Sequence, residues 1–176
     1  HSLKNKTMRT IILAILFFPF VALAQKGQTV YLKLTDASGQ QIKGDALAKG
    51  YERSIDVLSF ANAGKNNSQL SFSMNITGAS ADLKKAMGNG ALLPSGTLSV
   101  LQPGGTGAPI IMYTIKMENI RVSNCAESMG CNGVITTTSV ITAGRIGWTY
   151  YQTDATGRQT VSRKYGFDSD SGKEWT

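Results

Sequence analysis

The sequence predicts a mainly β fold: a compact antiparallel β-barrel of two packed sheets with one short α-helix. Short runs of alternating apolar and polar residues recur along the chain, clusters of Gly, Asn, Asp and Pro separate them, and only one stretch has convincing helical spacing. Of the 176 residues, 41% are hydrophobic and 16% charged, which suits one folded domain and excludes a charge-dominated disordered chain.

The first strand is Thr29–Leu34, with Val30, Leu32 and Leu34 on one face and Tyr31 and Lys33 on the other. A turn at residues 35–39 and a polar stretch around Lys43 to Gly50 lead to a second strand over residues 55–60. Gly64 to Asn67 then precede a third, over residues 70–76, where Leu70, Phe72 and Met74 alternate with polar partners. Residues 79–87 form the helix: Ser80 caps it, Asp82 falls in its first turn, Leu83, Ala86 and Met87 share a face, and Gly88-Asn89-Gly90 ends it. A strand over residues 97–101, a Pro-Gly-Gly-Thr-Gly turn and a long run over residues 110–122 read as a hairpin. The β-branched residues 134–142, the aromatic-rich residues 146–152 and, after an Asp-Ala-Thr-Gly turn, residues 160–167 complete seven or eight strands.

Ahead of these strands, Lys4, Lys6 and Arg9 precede the apolar run of residues 11–18, Pro19, and the small-residue site Ala22-Leu23-Ala24 before Gln25. That order is a secretory signal peptide cleaved between Ala24 and Gln25, and the run is too short and too interrupted for a permanent membrane span. Two units are therefore expected: a leader over residues 1–24 and a barrel domain over residues 25–176, exported to the periplasm or the cell exterior. An oxidising compartment makes Cys125 and Cys131, with five residues between them, a disulfide that pins a short loop.

Composition excludes much enzyme chemistry. The only histidine is His1, so neither a histidine-based triad nor most zinc sites can be built, and no Gly-x-Ser-x-Gly elbow occurs. No catalytic, cofactor-binding or metal-ligating residue is assigned. Gly104-Gly105-Thr106-Gly107 sits between strands without the lysine and helix of a phosphate loop. Asp168 and Asp170 lack the spacing and terminal Glu of a calcium loop, and nothing places Asp56 and Glu118 together as a carboxylate pair. The 18 cations exceed the 11 acids, but three of the cations lie in the leader and the others are scattered, which argues against nucleic acid as a partner. Trp148, Tyr150 and Tyr151 read as core or subunit-interface residues.

Together, Tyr31-Leu32-Lys33-Leu34, the loop Ile42-Lys43-Gly44-Asp45, Ser54-Ile55-Asp56-Val57-Leu58-Ser59-Phe60, Leu70-Ser71-Phe72 before the single helix, and Tyr165-Gly166-Phe167-Asp168 with Trp175 resemble the haemolysin-coregulated protein (Hcp) family. These matches are distributed over residues 29–175. The resemblance implies a two-sheet β-barrel with a side helix and a non-enzymatic subunit of the type VI secretion tube. It implies hexameric rings that stack, a lumen that holds small effectors, a spike protein at the tip and no cofactor. The loop from Asp36 to Arg53 is then the candidate stacking contact. A cleavable leader departs from that family pattern. It supports the alternative of an exported Hcp-like barrel acting as a surface or periplasmic binding or adhesion module.

Overall fold

The computed structural model describes residues 27–104 and 109–175. In chain order the elements are β1 (Thr29–Leu34), β2 (Ile55–Ala63), β3 (Gln69–Asn75), α1 (Gly78–Gly88), β4 (Leu92–Gln102), β5 (Ile110–Met129), β6 (Ile135–Thr153), β7 (Gln159–Asp168) and β8 (Lys173–Glu174). A single 3-10 turn, Lys65–Asn67, joins β2 to β3.

Alternation decides which side of each strand is buried. Leu32 and Leu34 of β1, Leu70, Phe72 and Met74 of β3, and Ile115 and Met117 of β5 are all at most 1% exposed. Their outward neighbours Lys33, Ser71, Ser73 and Lys116 stay in contact with water. The strands pair antiparallel in the order β3-β2-β1-β4-β5-β6-β7-β8, and β3 also pairs with β6, from Gln69↔Thr142 to Asn75↔Thr136. That extra ladder closes six strands into a barrel and leaves β7 and β8 outside it.

The expected antiparallel β-barrel is present, and its packed faces belong to one sheet closed on itself. The cause is strand length: β5 has 20 residues and β6 has 19, enough to run through both sides of the barrel. The runs expected over residues 134–142 and 146–152 are one strand, β6, with Gly144 between them. In the structure Gly144 lies across from Asn119, which adopts the left-handed φ of 54°, and a Cβ at Gly144 would come within 3.1 Å of Asn119 Cβ. This is where β6 exchanges partners, leaving β3 after Thr142 and joining β7 at Arg145.

Helix α1 packs across β5 with Ala79, Ser80, Leu83 and Ala86 buried. The cap is Thr77 and not Ser80. Ser80 is the third helical residue, 2% exposed, and its Oγ accepts the Thr77 N–H at 3.2 Å while sharing a 2.8 Å hydrogen bond with Thr137 Oγ1 of β6. With the helix beginning at Gly78, Asp82 lies beyond the first turn, and Met87, at the rim of the apolar face, is 37% exposed.

Two glycines create the seat of the C-terminal segment. Gly147 of β6 and Gly166 of β7 stand opposite each other in the ladder. A Cβ on Gly147 would lie 3.2 Å from the Trp175 indole, and one on Gly166 would lie 1.8 Å from the Trp175 carbonyl oxygen. The Trp175 N–H donates to Gly166 O at 3.0 Å, and Lys116 Nζ sits 5.4 Å from the indole centroid.

Two outcomes are expected. Phe72→Ala should cost about 3 to 5 kcal/mol in denaturant unfolding, the usual range for a fully buried aromatic. Gly166→Ala should release the Trp175 segment, seen as a red shift in tryptophan emission, while the far-ultraviolet circular dichroism of the barrel is retained.

Candidate functional site

Among the described residues no group of three or more His, Cys, Asp or Glu could hold a metal ion. The carboxylates considered in sequence do not meet. Asp56 lies on β2 opposite Tyr31, whereas Glu118 lies on β5, three strands away, paired with Lys116 and Arg145 at 3.5 Å each. Asp168 is a structural anchor: its Oδ2 accepts from Arg145 Nε at 2.9 Å and its Oδ1 from the N–H groups of Asp170 and Ser171. Gly104 follows β4, and Gly105, Thr106 and Gly107 lie outside the described residues, as do Ala22, Ala24, Gln25 and His1.

The structure does not form the expected Cys125–Cys131 bridge; both thiols are free. Cys125 is buried on β5, where its Sγ accepts from Ser139 Oγ at 3.4 Å, and Cys131 is exposed in the turn after that strand. The sequence reading took residues 124–133 as a loop, but β5 continues to Met129. The four extended steps from Cys125 to Met129 span about 13 Å, far beyond the roughly 6 Å between Cα atoms that a disulfide spans, and Cys131 follows in the turn.

What the chain does present is two chemically unlike surfaces. The first is on β6 and β7. Trp148, only 8% exposed, donates from Nε1 to Asn62 Oδ1 at 3.1 Å and stacks on Tyr165 with centroids 5.9 Å apart. Tyr150 stacks on Tyr113 at 5.5 Å. Trp148 is thus core, as expected, whereas Tyr150 and Tyr165 remain 46% and 55% exposed. Arg163 pairs across from Tyr150, so it points to the same side. From Thr160 to Tyr165 every residue of β7 is exposed, because this part of the hairpin projects past the barrel.

The second surface is the connection from β1 to β2. It is an ordered structure. Asp36 Oδ1 accepts from the Ser38 N–H, the Ser38 hydroxyl and the Gln40 N–H, Ile42 N–H donates to Leu34 O, and Gly44 N–H donates to Arg53 O. Gly44 is needed where the two limbs meet, since a Cβ there would lie 2.3 Å from Ser54 O. Ile42 and Ala46 are buried and hold the loop to the barrel, while Leu47 at its crest is 92% exposed. At its base Tyr51 stacks on Tyr31 at 4.8 Å, and Lys33 Nζ is held by Gly50 O at 3.0 Å. Asp56 pairs across from Tyr31, and Asp45 is near enough for its charge to act on Asp56. The sequence reading marked the loop but not these four residues as a group, because they come from three separate segments.

Burial, and then the charge of Asp45, push the Asp56 carboxyl above the usual carboxylate range. The Ser171 N–H, with Arg145 and the Asp170 N–H, holds Asp168 below it. The two therefore act oppositely on stability. Asp168 stabilises the fold above the unfolded-state pKa and loses that effect as pH falls through its depressed folded value; ionised Asp56 opposes folding at neutral pH, and the cost is relieved as pH falls through its raised value. Thermal melts across mildly acidic to neutral pH should show Asp168→Asn flattening the acid-side loss of stability, and Asp56→Asn raising stability at neutral pH with little effect in acid. Native-state alkylation should label Cys131 and spare Cys125 until the chain is unfolded; two thiols that resist labelling without reductant even after unfolding would restore the bridge.

A sequence model of the family described as type VI secretion system effector, Hcp, matches residues 31–150. No curated protein sequence matches the chain. Among solved structures, a type six secretion system protein superposes with a TM-score of 0.70 at 20% identity, covering 84% of this chain and 99% of that one. Hcp1 from Salmonella typhimurium gives 0.68 at 20% identity, covering 85% and 99%. Hcp1 from E. coli EAEC 042 gives 0.65 at 22% identity, covering 80% and 98%. At such identities structural likeness establishes the fold, while the family match runs from β1 into β6 across most of the barrel. The chain belongs to the Hcp family of the type VI secretion system.

Proposed function

We propose that this chain is a structural subunit of a type VI secretion tube, without catalysis of its own, forming six-membered rings that stack and hold small effectors in their lumen. The observation that carries this reading is the family match over residues 31–150, which takes in both the closed barrel and the loop from Asp36 to Arg53. The apolar crest of that loop supports its role in stacking. An exposed leucine at the tip of an otherwise anchored loop suits insertion into a neighbouring ring.

The leader over residues 1–24 favours a second reading, in which the mature chain begins at Gln25, is exported to the periplasm or beyond, and uses the barrel for binding or adhesion. The observation behind this reading is the order of charged, apolar and small residues in the leader. The two readings separate on assembly. Light scattering and negative-stain imaging of the purified chain should show rings, and stacks at higher concentration, with spike protein and effectors as further partners; a monomer throughout favours the binding module. Deleting residues 40–48 would remove the buried Ile42 and Ala46, so the sharper test of stacking is Leu47→Asp, which should leave rings and abolish stacks.

A further inference from the structure

The ion pairs among the described residues are Lys84–Glu127, Lys116–Glu118, Arg145–Glu118 and Arg145–Asp168. Asp45, Asp56 and Arg163 take part in none of them. Asp56 is half-buried across from Tyr31, and burial and then the charge of Asp45 both push its carboxyl up. Lys33, the cation of β1, is held by Gly50 O and lies over the Tyr51 ring at 5.7 Å. Asp56, across from Tyr31 in the ladder, together with the nearby charge of Asp45 and the Tyr31 ring stacked on Tyr51, forms a place where a guanidinium can be bound by charge and by its flat face.

The same molecule offers such a guanidinium. Arg163 is exposed on the projecting part of β7, on the side that carries the exposed Tyr150 and Tyr165. Tyrosine and arginine are the residues that most often anchor protein interfaces. The Gly166 carbonyl faces the outer edge of β7 and is taken by the Trp175 N–H, and Lys164, two residues away, places a charge along the same strand. Contact runs through the side-chain face.

We propose that Arg163 of one copy, with Tyr150 and Tyr165, docks against the Asp45, Asp56, Tyr31 and Tyr51 site of a second copy. The two surfaces lie on different parts of the chain, so the contact is heterologous and repeats around a ring. This rests on the ring-forming reading and names its lateral contact; the crest of the loop at Leu47 is left for stacking. It also gives Asp56 a purpose. A half-buried carboxylate outside every ion pair, which costs the isolated barrel stability, gains a partner when the neighbour's cation arrives.

The test uses the full chain and the variants R163E, D56R, the double variant R163E/D56R and D56N, with assembly followed by light scattering over a concentration series and folding by thermal melting. Each single reversal should raise the concentration for half-assembly about tenfold or more, and the double variant should recover most of the loss. D56N should raise the melting temperature of the unassembled chain while weakening assembly, a pair of opposite effects that a merely structural residue does not produce. If the unmodified chain assembles and R163E or D56R assembles equally well, or if the double variant is no better than the singles, the contact is wrong and the ring reading stands. If the unmodified chain is monomeric at every concentration, the ring reading falls and this contact with it.

Discussion

The ladder between β3 and β6 is the constraint on which the other features depend. It joins residues far apart in sequence, and until it forms, Phe72, Met74 and Ile141 have no common interior to share. Its closure also divides β6. One half is consumed by the barrel and the other is released to carry β7, with Gly144 and the left-handed Asn119 marking the division. A substituent at Gly144 would crowd Asn119 at the point where the two long strands turn from one set of neighbours to the next. Because closure depends on non-local pairing, the loop entropy for all six strands must be overcome before the core gains from it.

A closed barrel has satisfied its own edges, and what remains outside it is available for other contacts. Here the remainder is a hairpin arm bearing an arginine between tyrosines, and a loop base bearing stacked tyrosines, Asp56 across from Tyr31 and the nearby charge of Asp45. Neither improves the isolated chain. The arm exposes aromatic area, and the loop base holds like charges together. Their opposite chemistry is what the proposed contact between copies of the chain would use. Helix α1, by contrast, is spent internally, its apolar face covering β5 and its Ser80 satisfied by Thr137.

The parts of the fold written in local alternation were legible in the sequence. Strand β1 has the same limits in sequence and structure, and β3 and β7 differ by a residue or so, because their apolar periodicity is clean and turn residues bracket them. What escaped was non-local. A glycine inside a β-branched run looks like a turn, but Gly144 is a partner exchange that only the position of Asn119 explains. Asn124, Glu127 and Ser128 around Cys125 carry a loop-like signal, yet pairing with β6 extends the strand through them to Met129. The seat of Trp175 depends on Gly147 and Gly166 lying opposite each other, a register that no single segment announces. The loop from Asp36 to Arg53 was visible as a loop; the grouping of Asp45 and Asp56 with Tyr31 and Tyr51 at its base was not.

An electron cryo-microscopy reconstruction of the assembled particle tests most directly whether these two leftover surfaces are what joins the subunits. The expected map shows closed rings in which the β7 face of each subunit covers its neighbour's Asp45 and Asp56, with Arg163 density between the carboxylates. Rings joined elsewhere, with the β7 arm open to solvent on every subunit, would contradict it.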